Sequence, residues 1–373
     1  DTNALLYQTR HSQRRIHKQN TGPMFGHQGM SWHYICNNKK FVSKLELLRE
    51  HKESKQSMQF CVPEAYDNYD FTTPPKETLE NLCKQKALDL RANNDKIVIW
   101  YSGGCDSHYV LDTFLKNNIK VDEIHMVKSG FSNADYEIEK YAIPFVKKLN
   151  IKTVVHEPTL DYYEKRYVEN EKQLGTANEY WHHFRLNNDF ENLQHHDTEG
   201  VAHVFGKEKP TLCFVDGKWY VYLLDVDVTP QPYQINFFSD DPILHSKQCH
   251  MLIEEIQLMK NQSDYNKVTW YHEDQNFWNK SIGRYYNSTF PLKEMMDDTF
   301  NNKDAEAIKQ APSHIVDAWQ NKNNALVEEL GADVFNRGDP AMGTIGVFSK
   351  FYCLTEKSTK TVDELFPNGF KLQ

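Results

Sequence analysis

The central part of the chain alternates short apolar runs with longer stretches in which apolar residues recur every three or four positions. The apolar runs lie at 96–101, 121–127, 151–158 and 200–205. The stretches 108–118 and 133–150, which follow the first two runs, have the periodicity of amphipathic helices. Because parallel strands need crossover connections of this kind, the alternation predicts an α/β fold with a doubly wound, mostly parallel sheet.

Other patterns flank this core. Helical spacing at 76–94 after two prolines predicts a helix before the first strand. The Asp216-Gly217 pair stands between two arms rich in β-forming residues and predicts a tight hairpin. Glycine-bearing turns predict an irregular N-terminal extension, with a short strand-like piece at 31–38 and a helical stretch at 40–54. Helical patterns beyond Ser246 predict a mainly helical C-terminal part. We therefore expect three regions: 1–75 for the extension, 76–260 for the core domain and 261–373 for the helical part.

Composition and charge narrow the functional classes. The 373 residues carry a formal net charge of -9, which argues against binding nucleic acid by bulk electrostatics, since that mode needs many Lys and Arg contacts to phosphate. The basic stretch Arg10–Asn20 is more typical of a solvated flexible end than of a binding arm. No apolar run approaches the roughly 20 residues that cross a bilayer, and no signal-peptide pattern is seen. We expect a cytoplasmic protein, in the host cytoplasm if it is viral, without a membrane partner.

Cysteine and histidine positions offer weaker signals. The seven cysteines are widely spaced and never form a CxxC pair, which favours reduced thiols over a disulfide framework or a structural zinc site. His245 and Cys249 stand four apart, but polar packing is favoured there over a metal site. Asp225 is either a substrate or metal ligand or an ordinary polar residue at a strand end. The aromatic segment 162–190 fits core packing, or alternatively a lid or substrate wall.

The most informative motif is SGGCDS, Ser102–Ser107, between the first apolar run and a helical stretch. In an open parallel sheet, ligands collect beyond the carboxyl ends of the strands. Gly103 and Gly104 permit unusual dihedrals and a close approach of phosphate to the backbone, and the following helix offers N-H donors to an anion. A plain turn followed by a capped helix is the alternative interpretation.

Side chains of the motif complete a phosphate site. Ser102 and Ser107 have hydroxyl donors for phosphate oxygens, while Asp106 would repel phosphate and instead suits a bridging Mg²⁺. The motif is not a Walker A loop, because no Gly-Lys-Ser/Thr follows, and it lacks the GxGxxG spacing of a dinucleotide site. The motif therefore predicts a phosphate-binding site that includes Mg²⁺.

Ser102-Gly103-Gly104-Cys105-Asp106-Ser107 resembles the SGGxDS loop of the PP-loop ATP pyrophosphatases. The order of motifs outside the loop resembles an asparagine-synthase-like branch found in large bacteriophages. This resemblance implies a HUP/PP-loop type fold, ATP and Mg²⁺ as cofactors, and an AMP-forming ligase. Such an enzyme adenylates a carbonyl or carboxylate oxygen with release of pyrophosphate, and an amine or ammonia then attacks the activated carbon.

The resemblance also implies roles for residues around the loop. Lys207 and Lys209, in GKEKP after the fourth apolar run, would neutralise charge on the departing pyrophosphate, with Lys128 as a weaker candidate. Backbone groups near the end of the second apolar run would hold adenine. The expected catalytic residues are Asp106, Lys207 and Lys209, and the expected nucleotide-binding residues are Tyr101, Ser102, Gly103, Gly104, Cys105, Asp106, Ser107, Met126, Val127 and Lys128.

Departures from better-known members leave other functions open. The chain shows no N-terminal glutaminase with a nucleophilic cysteine, and it has none of the paired cysteines of thiolating relatives. Its acceptor would be a small molecule or a base in nucleic acid, and a homo-oligomer is compatible with the sequence. The alternatives are a nucleotide-binding module without turnover and a sulfonucleotide enzyme similar to PAPS reductases.

Overall fold

A computed structural model describes residues 33–41, 44–128, 138–157, 159, 161, 200–206, 210–225, 234–259, 269–270, 313–314, 328–329 and 347–367. All of them belong to the compact unit 31–373. The strands in chain order are β1 (His33–Cys36), β2 (Lys39–Phe41), β3 (Met58–Cys61), β4 (Lys96–Trp100), β5 (Glu123–Val127), β6 (Lys152–His156), β7 (Val201–Phe205), β8 (Thr211–Val215), β9 (Lys218–Tyr222), β10 (Gln234–Asn236), β11 (Thr269–Trp270), β12 (Phe351–Cys353) and β13 (Thr359–Lys360).

The helices of the described residues connect these strands. They are α1 (Lys44–Ser54), α2 (Glu64–Asp67), α3 (Leu79–Asn93), α4 (Cys105–Lys116), a π-helical segment (Ile138–Ala142) that continues into α5 (Ile143–Val146), α6 (Pro242–Met259) and α7 (Val362–Leu365). None of the described helices combines the length and apolar character needed to cross a lipid bilayer.

A five-stranded parallel sheet forms the centre of the α/β fold, in the spatial order β10-β7-β4-β5-β6. One face packs into the main hydrophobic core through side chains such as Ile97, Ile99 and Val204. The other face carries a separate cluster that includes Trp100 and Phe205. The apolar run at β4 is therefore explained as predicted, because both faces of this central strand are buried.

The order of the strands reverses beside β4. From β4 the chain adds β5 and β6 on one side, and it then returns to place β7 and β10 on the other. The carboxyl ends of β4 and β7 therefore border the kind of crevice where open α/β sheets bind ligands. The connection from β6 to β7 lies mainly outside the described residues, so helices on the second face stay a prediction.

The N-terminal region is more regular than predicted. Residues 33–61 form a three-stranded antiparallel sheet in the order β2-β1-β3. Asn37 and Asn38 make the turn between β1 and β2 with positive φ angles of 52° and 58°, which suits a tight hairpin. The predicted strand-like piece at 31–38 contains β1, and the helical stretch predicted after it contains α1. The strands β2 and β3 were not predicted, because three or four residues are too few for their alternation of apolar and polar positions to stand out among the turns.

A second five-stranded sheet has the order β11-β8-β9-β12-β13. The predicted hairpin at Asp216-Gly217 is confirmed, with φ angles of 48° and 78° between β8 and β9. In 347–367 the chain forms β12, β13 and the short helix α7, where the sequence pattern predicted mainly helix. The strand signal there is a single apolar run around Phe351, which is buried against Tyr222 of β9.

Candidate functional site

The loop Ser102–Ser107 begins one residue after β4 and runs into α4, at the border where the strand order reverses. Gly103 has a φ angle of 85°, a conformation that glycine adopts without the penalty of other residues. Gly104 is the N-cap of α4, with φ -72° and ψ 161°, and no side chain of the described residues caps the helix. The expected unusual dihedrals are therefore confirmed at Gly103 but not at Gly104, whose extended angles are open to any residue.

Hydrogen bonds within the loop hold it in this shape. The hydroxyls of Ser102 and Ser107 are 3.0 Å apart, and Ser107 Oγ lies 3.1 Å from the carbonyl oxygen of Gly104, to which it donates. The backbone N-H of Ser102 donates to Ser107 Oγ at 3.2 Å, and that of Gly104 donates to Ser102 Oγ at 3.3 Å. Both serines thus organise the loop, but only Ser102 also presents its hydroxyl, because Ser107 is buried and donates its proton to Gly104.

The first turn of α4 provides the electrostatic part of the site. A helix N-terminus has N-H groups without intrahelical partners and a partial positive charge, and both favour an anion. Ser102, Gly104 and Asp106 are partly exposed, so a ligand can reach them. Asp106 lies in this first turn. A single carboxylate is a suitable protein ligand for Mg²⁺ when phosphate oxygens and water complete the octahedron.

Cys105 lies within the loop but is only 8% exposed. Its sulfur is 3.8 Å from Asp106 Oδ2. Because an attacking thiolate needs access to its substrate, this burial favours packing over nucleophilic chemistry.

Gly206 follows β7 directly and lies against the first turn of α4. A β-carbon on Gly206 would come within 2.6 Å of Ser107 Cα. The end of β7 therefore touches the loop Ser102–Ser107 that follows β4, and this close approach requires glycine at position 206. Sequence reasoning placed this residue in GKEKP but attached no role to it; a glycine immediately after an apolar run was the available signal.

Tyr101 and Met126, like Cys105 and Ser107, are predicted nucleotide-binding residues whose side chains are buried. Tyr101 is 1% exposed, and its hydroxyl is 2.9 Å from Nδ1 of His108 in α4, so this side chain packs against the helix. Met126 is also 1% exposed and lies in the main core. Only backbone groups near Met126 and Val127 could therefore meet adenine, and that contact stays a prediction.

Of the three candidate lysines, the structure describes only Lys128. Lys128 is half-buried and pairs with two acids, 2.7 Å from Glu139 and 3.8 Å from Glu157. Its charge is therefore already balanced in part by protein groups. Lys207 and Lys209 lie outside the described residues, so their roles stay predictions. The aromatic segment 162–190 also lies outside them, and its role stays a prediction too.

The other candidate ligands have structural partners. His245 Nδ1 is 2.9 Å from the hydroxyl of Tyr66, and burial lowers the pKa of His245 to about 3. Burial raises the pKa of the Cys249 thiol. No group of three or more His, Cys, Asp or Glu side chains within the described ranges could hold a metal ion. The seven cysteines all fall in those ranges and are free thiols.

Sequence reasoning missed a polar cluster on the second face of the central sheet. Trp100 stacks on Phe205 and on His156, at ring-centroid distances of 5.4 Å in both cases. Trp100 Nε1 donates to His203 Nδ1 at 3.1 Å. The signal was present as period-two alternation, because these side chains occupy alternate positions of their strands.

His125 and Glu123 extend this cluster along β5. His125 Nε2 lies 2.9 Å from Glu123 Oε2, and His156 Nε2 lies 3.1 Å from His125 Nδ1. Burial lowers the pKa of His125 to about 4, against the opposite effect of Glu123. Burial alone would raise the pKa of Glu123, but hydrogen bonds from Lys96, Lys152 and His125 outweigh it and bring that pKa to about 2. A neutral His125 that donates from Nε2 satisfies both contacts.

No protein-family model matches the chain, and no curated protein matches it either. Among solved structures, the chain is similar to the U34-tRNA thiolase NcsA from Methanococcus maripaludis, determined with its 4Fe-4S cluster. The identity is 13%, the match covers 66% of this chain and 78% of the thiolase chain, and the TM-score is 0.26. At this TM-score the likeness carries no argument about activity. The functional argument therefore depends on the loop and its position in the sheet.

Proposed function

We propose that this protein is an ATP-using enzyme of the PP-loop pyrophosphatase type, with a doubly wound core, and that it forms AMP and pyrophosphate. The observation that carries the proposal is the position of SGGCDS. This loop follows the carboxyl end of β4, beside the reversal of strand order. It has Gly103 at positive φ and leads into a helix that no described side chain caps. Each of these features favours a bound phosphate chain.

The binding role of the loop follows from its donors. Backbone N-H groups of the first turn of α4, together with the hydroxyl of Ser102, would surround the β- and γ-phosphates, while Ser107 would keep the loop in shape. Asp106 would hold Mg²⁺ against the same oxygens, and that ion supplies positive charge where the leaving group becomes more negative. Lys207 and Lys209 would add cations on the side of β7.

The proposed reaction uses this arrangement to stabilise the departing pyrophosphate. An oxygen of a substrate carbonyl or carboxylate attacks the α-phosphorus, the bond from that phosphorus to the bridging oxygen breaks, and pyrophosphate leaves with the electron pair. The adenylated carbon then accepts ammonia or an amine, and AMP is released. Charge grows on the pyrophosphate oxygens during the first step, so donors already in place lower the barrier.

The test is to incubate the protein with MgATP and panels of carboxylates and carbonyl compounds, including nucleic-acid bases, with ammonia or amines. We expect AMP and pyrophosphate in equal amounts from a productive acceptor. ADP as the product would contradict the proposal.

Two alternative functions are separate outcomes of this test. Tight ATP binding without turnover across the panels would favour a nucleotide-binding module. Binding of adenosine phosphosulfate with thiol-dependent release of sulfite would favour a sulfonucleotide enzyme.

A further inference from the structure

The close approach of Gly206 to α4 concerns backbone atoms alone. A β-carbon on Gly206 would lie 2.6 Å from Ser107 Cα, 2.7 Å from Ser107 N and 2.8 Å from the carbonyl carbon of Asp106. Non-bonded carbon atoms pack at about 3.5–4.0 Å, so even a methyl group requires a displacement of about 1 Å. Since no side chain is involved, no change of rotamer relieves the crowding.

The end of β7 is fixed in place by its neighbours. Phe205 pairs with Trp100 in register, and the two rings are stacked with an interplanar angle of 4°. The carbonyl oxygen of Phe205 also accepts a hydrogen bond from the N-H of Phe237 at 2.9 Å. A displacement caused at Gly206 would therefore fall mainly on the first turn of α4.

Displacement of this turn would pass to the whole loop. Ser107 Oγ accepts a hydrogen bond from the N-H of Ser102 and donates one to the carbonyl of Gly104. The N-H of His108 donates to that same carbonyl at 2.9 Å. The donors that face a ligand are thus connected to the atoms that Gly206 touches.

We propose that Gly206 is a positioning residue, which sets the first turn of α4 at the distance from β7 that the phosphate-binding donors require. The claim that phosphate is the ligand rests on the proposed function, while the claim that Gly206 positions the loop does not. Gly103 and Gly206 are glycines for different reasons, because Gly103 needs its positive φ and Gly206 needs the space.

The experiment compares Gly206→Ala with two glycine controls. Gly200→Ala lies at the other end of β7, where φ is 87° and a β-carbon would meet Asp95 Oδ2 at 2.9 Å. Gly217→Ala lies in the β8–β9 hairpin, where φ is 78° and nothing stands within 4 Å of the new carbon. Both controls strain the backbone, but they lie away from the loop.

Affinity for inorganic pyrophosphate is measured by calorimetry at a temperature where circular dichroism shows every variant folded. A 1 Å misplacement can cost about 100-fold in rate. We expect Gly206→Ala to bind pyrophosphate at least about tenfold more weakly and to form AMP about 100-fold more slowly. The two controls should bind as the wild type does. A folded Gly206→Ala protein with wild-type pyrophosphate affinity would overturn the proposal.

Amide resonances separate this inference from the proposed function. If the wild type binds neither pyrophosphate nor ATP, the proposed function fails. Gly206→Ala should still shift the amide signals of residues 103–107 far more than Gly200→Ala does, and equal small shifts would overturn the positioning role. If Gly206→Ala does not fold, native-state hydrogen exchange of the wild type decides. The N-H of His108, bonded to the Gly104 carbonyl, and the N-H of Phe237, bonded to the Phe205 carbonyl, report on the two sides of the contact. They should open in one cooperative step, and independent opening would overturn the proposal.

Discussion

Asp106 is the side chain of the loop whose chemistry is most specific. Its carboxylate lies among groups that attract phosphate, and it can contribute to phosphate binding only through a cation. We expect Asp106→Asn to lower AMP formation by at least about 100-fold, the loss typical for removal of a group that stabilises the transition state. The free energy of unfolding should change by about 1 kcal/mol or less, since only one charge at a helix N-terminus is lost.

Glu80→Gln is the matched control for that substitution. Glu80 is the acid in the first turn of α3, so the change of charge and the helical position are comparable. Its AMP formation should equal that of the wild type. Wild-type AMP formation by Asp106→Asn would remove Asp106 from the catalytic site.

Buried histidines predict a loss of stability in acid. Burial lowers the pKa of His108 and of His125 to about 4 and that of His245 to about 3. Each is protonated in the unfolded chain below about pH 6.5 and stays neutral when folded, so the free energy of unfolding falls as pH drops from about 6.5 toward 4. Each such group contributes a slope of about 1.4 kcal/mol per pH unit in that window.

Protonation of Asp240 has the opposite effect on the free energy of unfolding. Burial raises the pKa of Asp240 to about 6, so the folded state takes up this proton first and gains stability as pH falls below 6. Three histidines outweigh one aspartate, and the net slope remains a loss. Chemical denaturation at pH 7.0, 6.0 and 5.0 tests this, and His125→Gln should flatten the decline. Stability that is constant or rises from pH 7.0 to 5.0 would contradict the assignment of neutral buried histidines.

At the scale of elements, the start of α3 depends on a single cap. The Thr78 side chain accepts a hydrogen bond from the N-H of Asn81 at 3.2 Å. Thr78→Ala should lower the free energy of unfolding by about 1 kcal/mol, the usual effect of losing an N-cap. Thr78→Ser should restore it, because serine keeps the hydroxyl. Equal stability of the alanine and serine variants in urea denaturation would show that this cap does not contribute.

The central elements were predictable because local pattern and buried environment agree there. The run at Lys96–Trp100 is apolar after its first residue, and the helix after it has regular spacing, so both were located from the sequence. The short strand β12 was not, since its pairing partner β9 is distant in the chain. The contact of Gly206 with Ser107 was also beyond the sequence, because it depends on strands that are about a hundred residues apart being neighbours.

At the scale of the whole molecule, Asp225 joins three distant segments. Its Oδ2 accepts from the hydroxyl of Tyr34 at 2.9 Å, and its Oδ1 accepts from the N-H of Val347 at 2.8 Å. The residue is fully buried. These bonds connect the N-terminal sheet and the segment 347–367 to the end of β9, so Asp225 has a structural role and needs no ligand to explain it.

Asp225→Ala should lower the free energy of unfolding by about 3 kcal/mol, because two buried donors lose their acceptor. Tyr34→Phe removes only the hydrogen bond to Asp225 Oδ2 and leaves the one from Val347 in place, so it should cost less, about 2 kcal/mol. Neither change should alter the affinity for ATP, which is measured on the folded proteins. A weakened ATP affinity in Asp225→Ala at unchanged stability would indicate a ligand-binding role instead.

The division into regions 1–75, 76–260 and 261–373 stays a prediction. The described residues nevertheless show contacts across both boundaries: the N-H of Phe60 donates to the carbonyl of Phe348 at 2.8 Å, and Tyr66 packs against Tyr352. Composition shifts along the chain cannot reveal such contacts, because they mark changes of local pattern and not of packing.

The most direct test of the account is a crystal structure with Mg²⁺ and an ATP analogue whose α,β-bridging oxygen is replaced by carbon. The account predicts that β- and γ-phosphate oxygens accept hydrogen bonds from the N-H groups of residues 103–107, with Mg²⁺ on Asp106 and the α-phosphorus open to the crevice between β4 and β7. A triphosphate bound elsewhere, with the loop of Ser102–Ser107 empty, would contradict it.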